Sequence, residues 1–294
     1  MANLKAIRVR ISSVKSTRQI TSAMKMVSAA KLRRAQDKIV RLRPYVGKLQ
    51  EILAGLSQSL ADSEVENVYG RVSDPGKILL VVITSNRGLC GAFNANVIKE
   101  TRRLISEKYA DQYSKGNLQI LTIGKKGFDY FRKQQVKMLP DQNSLLNNLA
   151  FGNVAQVADA IMSSFVSGEY DRVELVYNQF KNAAVQNLTN ELFLPVVAIA
   201  KGKVLPEVVD YIYEPDQEAI VKDLIPKSLK IQFYKAVLDS FVAEHGARMT
   251  AMHKATDNAT TMIRDLTLQY NKARQSAITN QILEVVSGAE ALRG

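Results

Sequence analysis

From Leu4 the apolar positions advance in alternating steps of three and four: Leu4, Ile7, Ile11 and Val14, then Leu32, Ala35, Ile39, Leu42, Val46, Leu49, Leu53, Leu56 and Leu60. One heptad frame held over this distance predicts a helix from about 3 to 59 that pairs along a narrow seam, as in a coiled coil. Pro44 breaks the pattern and predicts a bend or a lost hydrogen bond. Between Val14 and Leu32 the frame positions are Arg18, Thr21, Lys25 and Ser28, while Ile20, Ala23, Met24 and Val27 carry the apolar character. The contact face is therefore expected to rotate there, with the helix changing what it packs against.

A second periodic segment occupies the other end: Ile220 and Leu224, then Ile231, Tyr234, Leu238, Phe241, His245, Arg248, Met252, Ala255, Ala259, Met262 and Leu266. Two long seams of equal period at opposite termini predict an antiparallel pair, with Ala251, Ala255 and Ala259 allowing close approach. Pro226 is expected to start or kink this helix, and Ser287-Gly288 to end it near 287. Beyond Leu266 the frame decays into polar residues, so the last turns of a helix from about 216 should protrude unpaired.

Between the helices the period changes. After the turn Asp74-Pro75-Gly76 comes the β-branched run Lys77 to Thr84, a buried strand. Helices are expected at Asn94 to Tyr109, Lys125 to Gln134 and Asn153 to Val166. Strands are expected at Leu118 to Ile123, Val136 to Leu139, Arg172 to Tyr177 and about Leu188 to Leu194. This alternation predicts a Rossmann-like α/β domain with a largely parallel sheet. The expected divisions are a helix at 1–60, a linker at 61–75, the α/β domain at 76–201, a second linker at 202–215 and a helix at 216–294.

Composition narrows the function classes. The 294 residues are 46% hydrophobic and 23% charged, which is ordinary for a globular chain. The longest apolar runs, Ile78 to Ile83 and Leu192 to Ala200, fall well short of the roughly 20 residues that span a bilayer. No secretory signal pattern opens the chain. A single cysteine, Cys90, excludes an internal disulfide and a cysteine zinc cage, and two histidines leave little for a metal. The formal charge of +12 is concentrated: residues 1–60 hold thirteen Lys and Arg against Asp37 and Glu51, and the other 234 residues are nearly neutral. Such asymmetry predicts a partner of opposite sign.

The chemistry sought is mostly not found. The turn Thr84-Ser-Asn-Arg-Gly88-Leu-Cys90-Gly91-Ala-Phe93-Asn94 follows the first strand, where doubly wound domains bind nucleotides. The chain contains neither G-x-x-x-x-G-K-[ST] nor G-x-G-x-x-G, so a tight surface turn is the favoured reading. Cys90 lacks a nearby base, since His245 and His253 lie on the second long helix. Asp216 and Glu218 suit a helix start. A basic coiled-coil nucleic-acid protein and a nucleotide-binding enzyme stand as alternatives. Yet a basic region forking from a zipper is dimeric, and residues 1–44 offer no stacking aromatics. An acidic protein surface fits the basic helix better.

Several motifs are longer than periodicity requires. Ile11-Ser-Ser-Val14 with Gln19 to Val27, Arg87 to Asn94, Ala247 to Met252 with Ala255 to Asn258, Tyr270 to Gln275 with Ile278-Thr279, and Glu284 to Ala289 resemble the gamma subunit of the bacterial F-type ATP synthase. The resemblance implies a non-catalytic central rotor subunit without cofactors. It implies a shaft inside a ring of three alpha and three beta subunits, and a foot on epsilon and the membrane ring of c subunits, which would be the only membrane contact. It assigns Met24, Lys25 and Arg248 to a neck facing an acidic beta segment, and Arg87 and Cys90 to a turn near that segment. Arg274, Gln275, Thr279 and Glu284 fall to the tip, and Tyr211, Tyr213 and Glu214 to the foot. Asn86, Gly246 and Gln281 depart from the usual aspartate, alanine and glutamate. No nucleic acid is implied, and the expected location is the cytoplasmic face of the bacterial inner membrane.

Overall fold

A computed structural model describes residues 4–59, 68–71, 76–134, 136–196 and 217–292. The expected foot residues Tyr211, Tyr213 and Glu214 lie outside them. Helix α1 runs Leu4–Ser59 and passes through Pro44; helix α6 runs Gln217–Ala291 and passes through Pro226. Each proline removes one N–H from its ladder, a loss that the turns on either side outlast. Neither does Ser287-Gly288 end α6: Ser287 Oγ donates to Leu283 O at 2.8 Å, inside an unbroken helix.

Between them lie β1 (Ile78–Ile83), α2 (Phe93–Arg103), α3 (Ala110–Ser114), β2 (Leu118–Ile123), α4 (Lys125–Lys133), α5 (Phe151–Val166), β3 (Arg172–Phe180) and β4 (Gln186–Leu194). The sheet order is β2-β1-β3-β4. β1 is central, parallel to both neighbours and buried at all six positions, as a continuous apolar run requires when helices cover both faces. β4 returns antiparallel to β3, with a bulge at Val173/Glu174. The expected strand at 136–139 is only a single bridge, Ile120 to Met138. The helix expected to reach Tyr109 leaves α geometry at Arg103 and continues as a π turn, Leu104–Lys108.

The chain divides into two compact units. One joins the α1 residues up to Ala29 with α6 from Arg248; the other holds Ala30–Ala247. In the second unit, Leu49 packs with Ile231 and Leu32, Ala35 and Ile39 are buried at heptad spacing. Here α6 departs from the narrow seam its period predicts. From Val242 to Ala247 every position is buried, because side chains from the sheet domain also meet this stretch of the helix. Nearer its start Phe233 meets Phe193 of β4, Tyr234 meets Phe151 edge-on, and Lys230 pairs with Asp159 of α5 at 2.8 Å.

Candidate functional site

In the first unit the two long helices are antiparallel. Arg8 donates to Tyr270 Oη at 2.9 Å, Thr21 and Thr256 hydroxyls meet at 2.9 Å, and Lys25 Nζ donates to His253 Nδ1 at 3.3 Å. The residue numbers of each pair add to 277 or 278, so Leu4 lies opposite about Arg274. Leu266, Ala259 and Met252 are buried along the α6 seam, and the frame runs through Ile263 rather than the exposed Met262.

The expected rotation of the α1 face does not occur. Thr21 and Ser28, on the heptad frame, are 9% and 3% exposed, whereas Ile20 and Val27 are 60% and 58% exposed. Hydrogen bonds make this polar seam tolerable: Thr21 meets Thr256, and Ser28 Oγ donates to Met24 O at 2.8 Å. The consequence is an outward stripe of Val9, Ile20 and Val27, with Met26 exposed on another side of the helix, that the other described residues leave uncovered. Residues 1–29 add six Lys and Arg and no acid. Apolar stripes among cations mark a surface made for a partner. Met24 is half-buried beside it, Lys25 is half-buried on the side that faces His253, and Arg248 is buried. The burial of Arg248 agrees with the seam position that its spacing gives it.

The end of α6 has a second such surface. The pairing register leaves residues from about 275 without an opposite number in α1. Arg274, Gln275, Thr279 and Glu284 are all exposed, as are Ile278, Ile282, Leu283, Val285 and Val286. Thr279 Oγ1 donates back to Gln275 O at 3.0 Å. A lone helix of this length has marginal stability in water, so its apolar residues point to an external sleeve.

The turn after β1 is occupied by its own side chains. Ser85 N–H donates to Asn94 Oδ1 at 2.9 Å, and Asn94 Nδ2 donates to Ser85 Oγ at 2.8 Å and Cys90 Sγ at 3.3 Å. Across the sheet, Asn86 Nδ2 donates to Asn143 O while Asn86 Oδ1 accepts from Lys125 N–H, both at 3.0 Å. Asn143 Oδ1 accepts from Gly124 N–H at 3.0 Å. Gly124, at φ 111°, sits so near the Thr84 carbonyl that a Cβ would overlap it. The N–H groups of Ser85, Gly124 and Lys125 are thus spent on asparagines. Asn86 must both donate and accept, which an aspartate cannot do.

Cys90 is 2% exposed and packs with Phe93, Ala243 and Ala247. The thiol, expected as a small, buried residue rather than a nucleophile, is a core contact that docks the turn onto α6. What the turn shows to solvent is Arg87 and, at φ 63°, Leu89, which the sequence reading passed over although it lies between Gly88 and Gly91. At Gly246 a Cβ would come within 3.3 Å of Ala183 Cα in the β3–β4 loop, so a methyl group there would need the loop to give by a few tenths of an ångström.

Behind the turn, Glu174 is 1% exposed and accepts from Lys108 Nζ and Tyr109 Oη at 2.5 Å, Arg172 Nε at 2.7 Å and Asn190 Nδ2 at 3.0 Å. Burial alone would raise its pKa, but these four donors hold it below the usual carboxylate range. Burial and the adjacent carboxylate push Tyr109 upward, keeping its hydroxyl a donor. This is a satisfied structural network at the bulge. No group of three or more His, Cys, Asp or Glu that could hold a metal occurs among the described residues, and no helix there is long and apolar enough to cross a membrane.

A family model described as ATP synthase matches residues 3–292. The ATP synthase gamma chain of Flavobacterium johnsoniae is 56% identical over the full length of both chains. That of Cytophaga hutchinsonii is 50% identical over 99% of each. The chain belongs to the ATP synthase gamma-chain family. Its fold is similar to a chain of the Euglena gracilis mitochondrial ATP synthase (OSCP/F1/c-ring, rotational state 3), with a TM-score of 0.69 and 24% identity over 98% of this chain and 94% of that one. A gamma chain is the central-stalk rotor subunit of the synthase and carries no catalytic centre of its own. The two alternatives, nucleotide enzyme and nucleic-acid protein, give way to this assignment.

Proposed function

We propose that the chain transmits torque between a membrane-embedded c ring and three catalytic beta subunits. Its tip turns in the sleeve of an alpha/beta ring with three copies of each subunit, and its foot, around Tyr211, Tyr213 and Glu214, is fixed to the c ring and epsilon. The observation that carries this reading is the end of α6. Beyond about residue 275 it has no partner in α1, and Ile278, Ile282, Val285 and Val286 are exposed. Apolar contacts on all sides of one helix suit a sleeve against which it slides, since they resist displacement without fixing an angle.

The neck supplies direction. The outward stripe of Val9, Ile20 and Val27 occupies one side of α1, so a beta subunit facing that side meets a surface that the other two do not. Differential contact biases each site's conformational equilibrium, and turning the shaft moves that bias from site to site. The complex would lie on the cytoplasmic face of the bacterial membrane, with this chain peripheral and touching the bilayer only through the c ring.

The test follows from the turn. In a Cys90→Ser background, Leu89→Cys places a thiol at the exposed position, and a second cysteine goes into the acidic segment of beta. Oxidation should yield one gamma–beta band and stop multisite ATP hydrolysis, with reduction restoring it. Full turnover at quantitative cross-linking would exclude rotation of this subunit against the ring.

A further inference from the structure

Within the unit that holds the sheet, α6 is enclosed on every side. An amphipathic helix buries one stripe and shows the opposite face to water. From Ser228 to Ala247, however, no position of α6 is exposed. This stretch cannot shift in any direction without moving a neighbour.

The residues Lys230 to Tyr234 go once round the helix axis at about 3.6 residues per turn, and each meets another element. Lys230 Nζ pairs with Asp159 of α5 at 2.8 Å, and Ile231 packs with Leu49 of α1. Gln232 Nε2 donates to Glu191 Oε1 of β4 at 2.7 Å. Phe233 lies against Phe193 of the same strand, and Tyr234 meets Phe151, the first residue of α5. Glu191 is itself anchored, since its Oε2 accepts from Tyr177 Oη of β3 at 2.7 Å. Tyr177 is 1% exposed, and burial together with the Glu191 charge pushes its pKa up, so its hydroxyl stays a donor.

These contacts are of two kinds. Apolar faces hold a helix in place but let it slide, whereas polar pairs have a preferred distance and direction. Lys230 and Gln232 stand about 200° apart round the axis, so their two polar pairs act on nearly opposite sides and a twist of α6 about its axis strains both. We propose that Lys230 to Tyr234 form the collar through which torque passes between the sheet domain and α6, with Asp159 and Glu191 as the positioning residues that fix the angle of the helix there; the assignment rests on the rotation proposed for this chain. The tip of α6 exposes apolar side chains suited to sliding, and the collar carries directional bonds suited to holding.

The test uses the complete synthase in proteoliposomes and reads the ions pumped per ATP hydrolysed, a ratio that poor folding or assembly alone would not move. Lys230→Met/Gln232→Leu keeps the apolar grip and removes both polar pairs, and should lower the ratio roughly threefold or more, the factor that one hydrogen bond of ordinary net strength represents. Gln232→Glu alone sets two carboxylates against each other and should lower it likewise. Adding Glu191→Gln restores a donor and an acceptor with their roles reversed, and should return the ratio to that of the wild type. Lys227→Met, which removes a pair with Asp223 of the same helix, should leave it unchanged. The collar would lose its assignment if the double variant kept the wild-type ratio, if the exchange failed to restore it, if Lys227→Met lowered it equally, or if the variants only reduced the amount of assembled complex. The Leu89 cross-link separates the two failures. If it stops turnover while the ratio holds in the collar variants, the collar alone is wrong; if turnover survives it, the rotation fails and the collar with it.

Discussion

At Glu174 a single carboxylate collects four donors at the β3 bulge, and removing its charge tests what they contribute. Glu174→Gln leaves Arg172 and Lys108 without their counter-charge and should cost on the order of 3 kcal/mol, measured as a shift of the denaturant midpoint. The folded pKa is depressed, so this stabilisation is fully present above the unfolded value of about 4.3 and is lost as pH falls through the folded one. The difference between wild type and variant should therefore shrink below about pH 4. Asn86 allows a second test. Asn86→Asp keeps the acceptor for Lys125 N–H but sets a carboxylate oxygen against the Asn143 carbonyl, so a loss of about 1–2 kcal/mol is expected in thermal melts. An unchanged melting temperature would mean that the turn does not depend on the asparagine donor.

Along α1 the same residue type has opposite meaning according to the face it occupies. Ile39 is buried in the heptad seam of the second unit, and Ile39→Asp should destabilise the chain by on the order of 4 kcal/mol. Ile20 is exposed, so Ile20→Asp should leave the melting temperature of the isolated chain within about 0.5 kcal/mol of wild type while weakening coupled ATP synthesis in the assembled complex. Equal destabilisation by both would return the rotated seam that the hydrophobic pattern suggested. That pattern misled because Ile20, Ala23, Met24 and Val27 look like a core stripe unless Thr21 and Ser28 are known to find hydrogen bonds inside the pair.

For the molecule as a whole, the charge and the exposed apolar surface fall on elements that the other described residues do not bury. Residues 1–60 hold nearly all of the net charge, and the last turns of α6 hold a cluster of exposed apolar side chains. Ile282→Ser with Val286→Ser should leave the isolated chain's unfolding unchanged and lower the yield of the assembled alpha–beta–gamma complex, read by size-exclusion chromatography. A fall in the isolated chain's own stability would mean that this end packs against the chain after all. Contacts made by the basic helix should weaken with added salt more than those of the tip, where apolar side chains predominate.

The two long helices, their antiparallel pairing and the α/β centre were legible in the sequence because periods of 3.5 and short β-branched runs are local properties, repeated often enough to outweigh single exceptions such as Pro44. The protruding end of α6 could be read too, as the decay of one helix's seam beyond the other's length. Tertiary structure alone decided the rest. Cys90 is buried because Ala243 and Ala247, some 150 residues away, supply small surfaces for it. Glu174 looks like any strand carboxylate until the bulge brings Lys108, Tyr109 and Asn190 to it. The π turn Leu104–Lys108 depends on one extra residue in a helical turn that periodicity cannot register. Burial and pairing are set by residues distant in the chain, and a linear pattern records only which side chains could be buried, not which partners arrive to bury them.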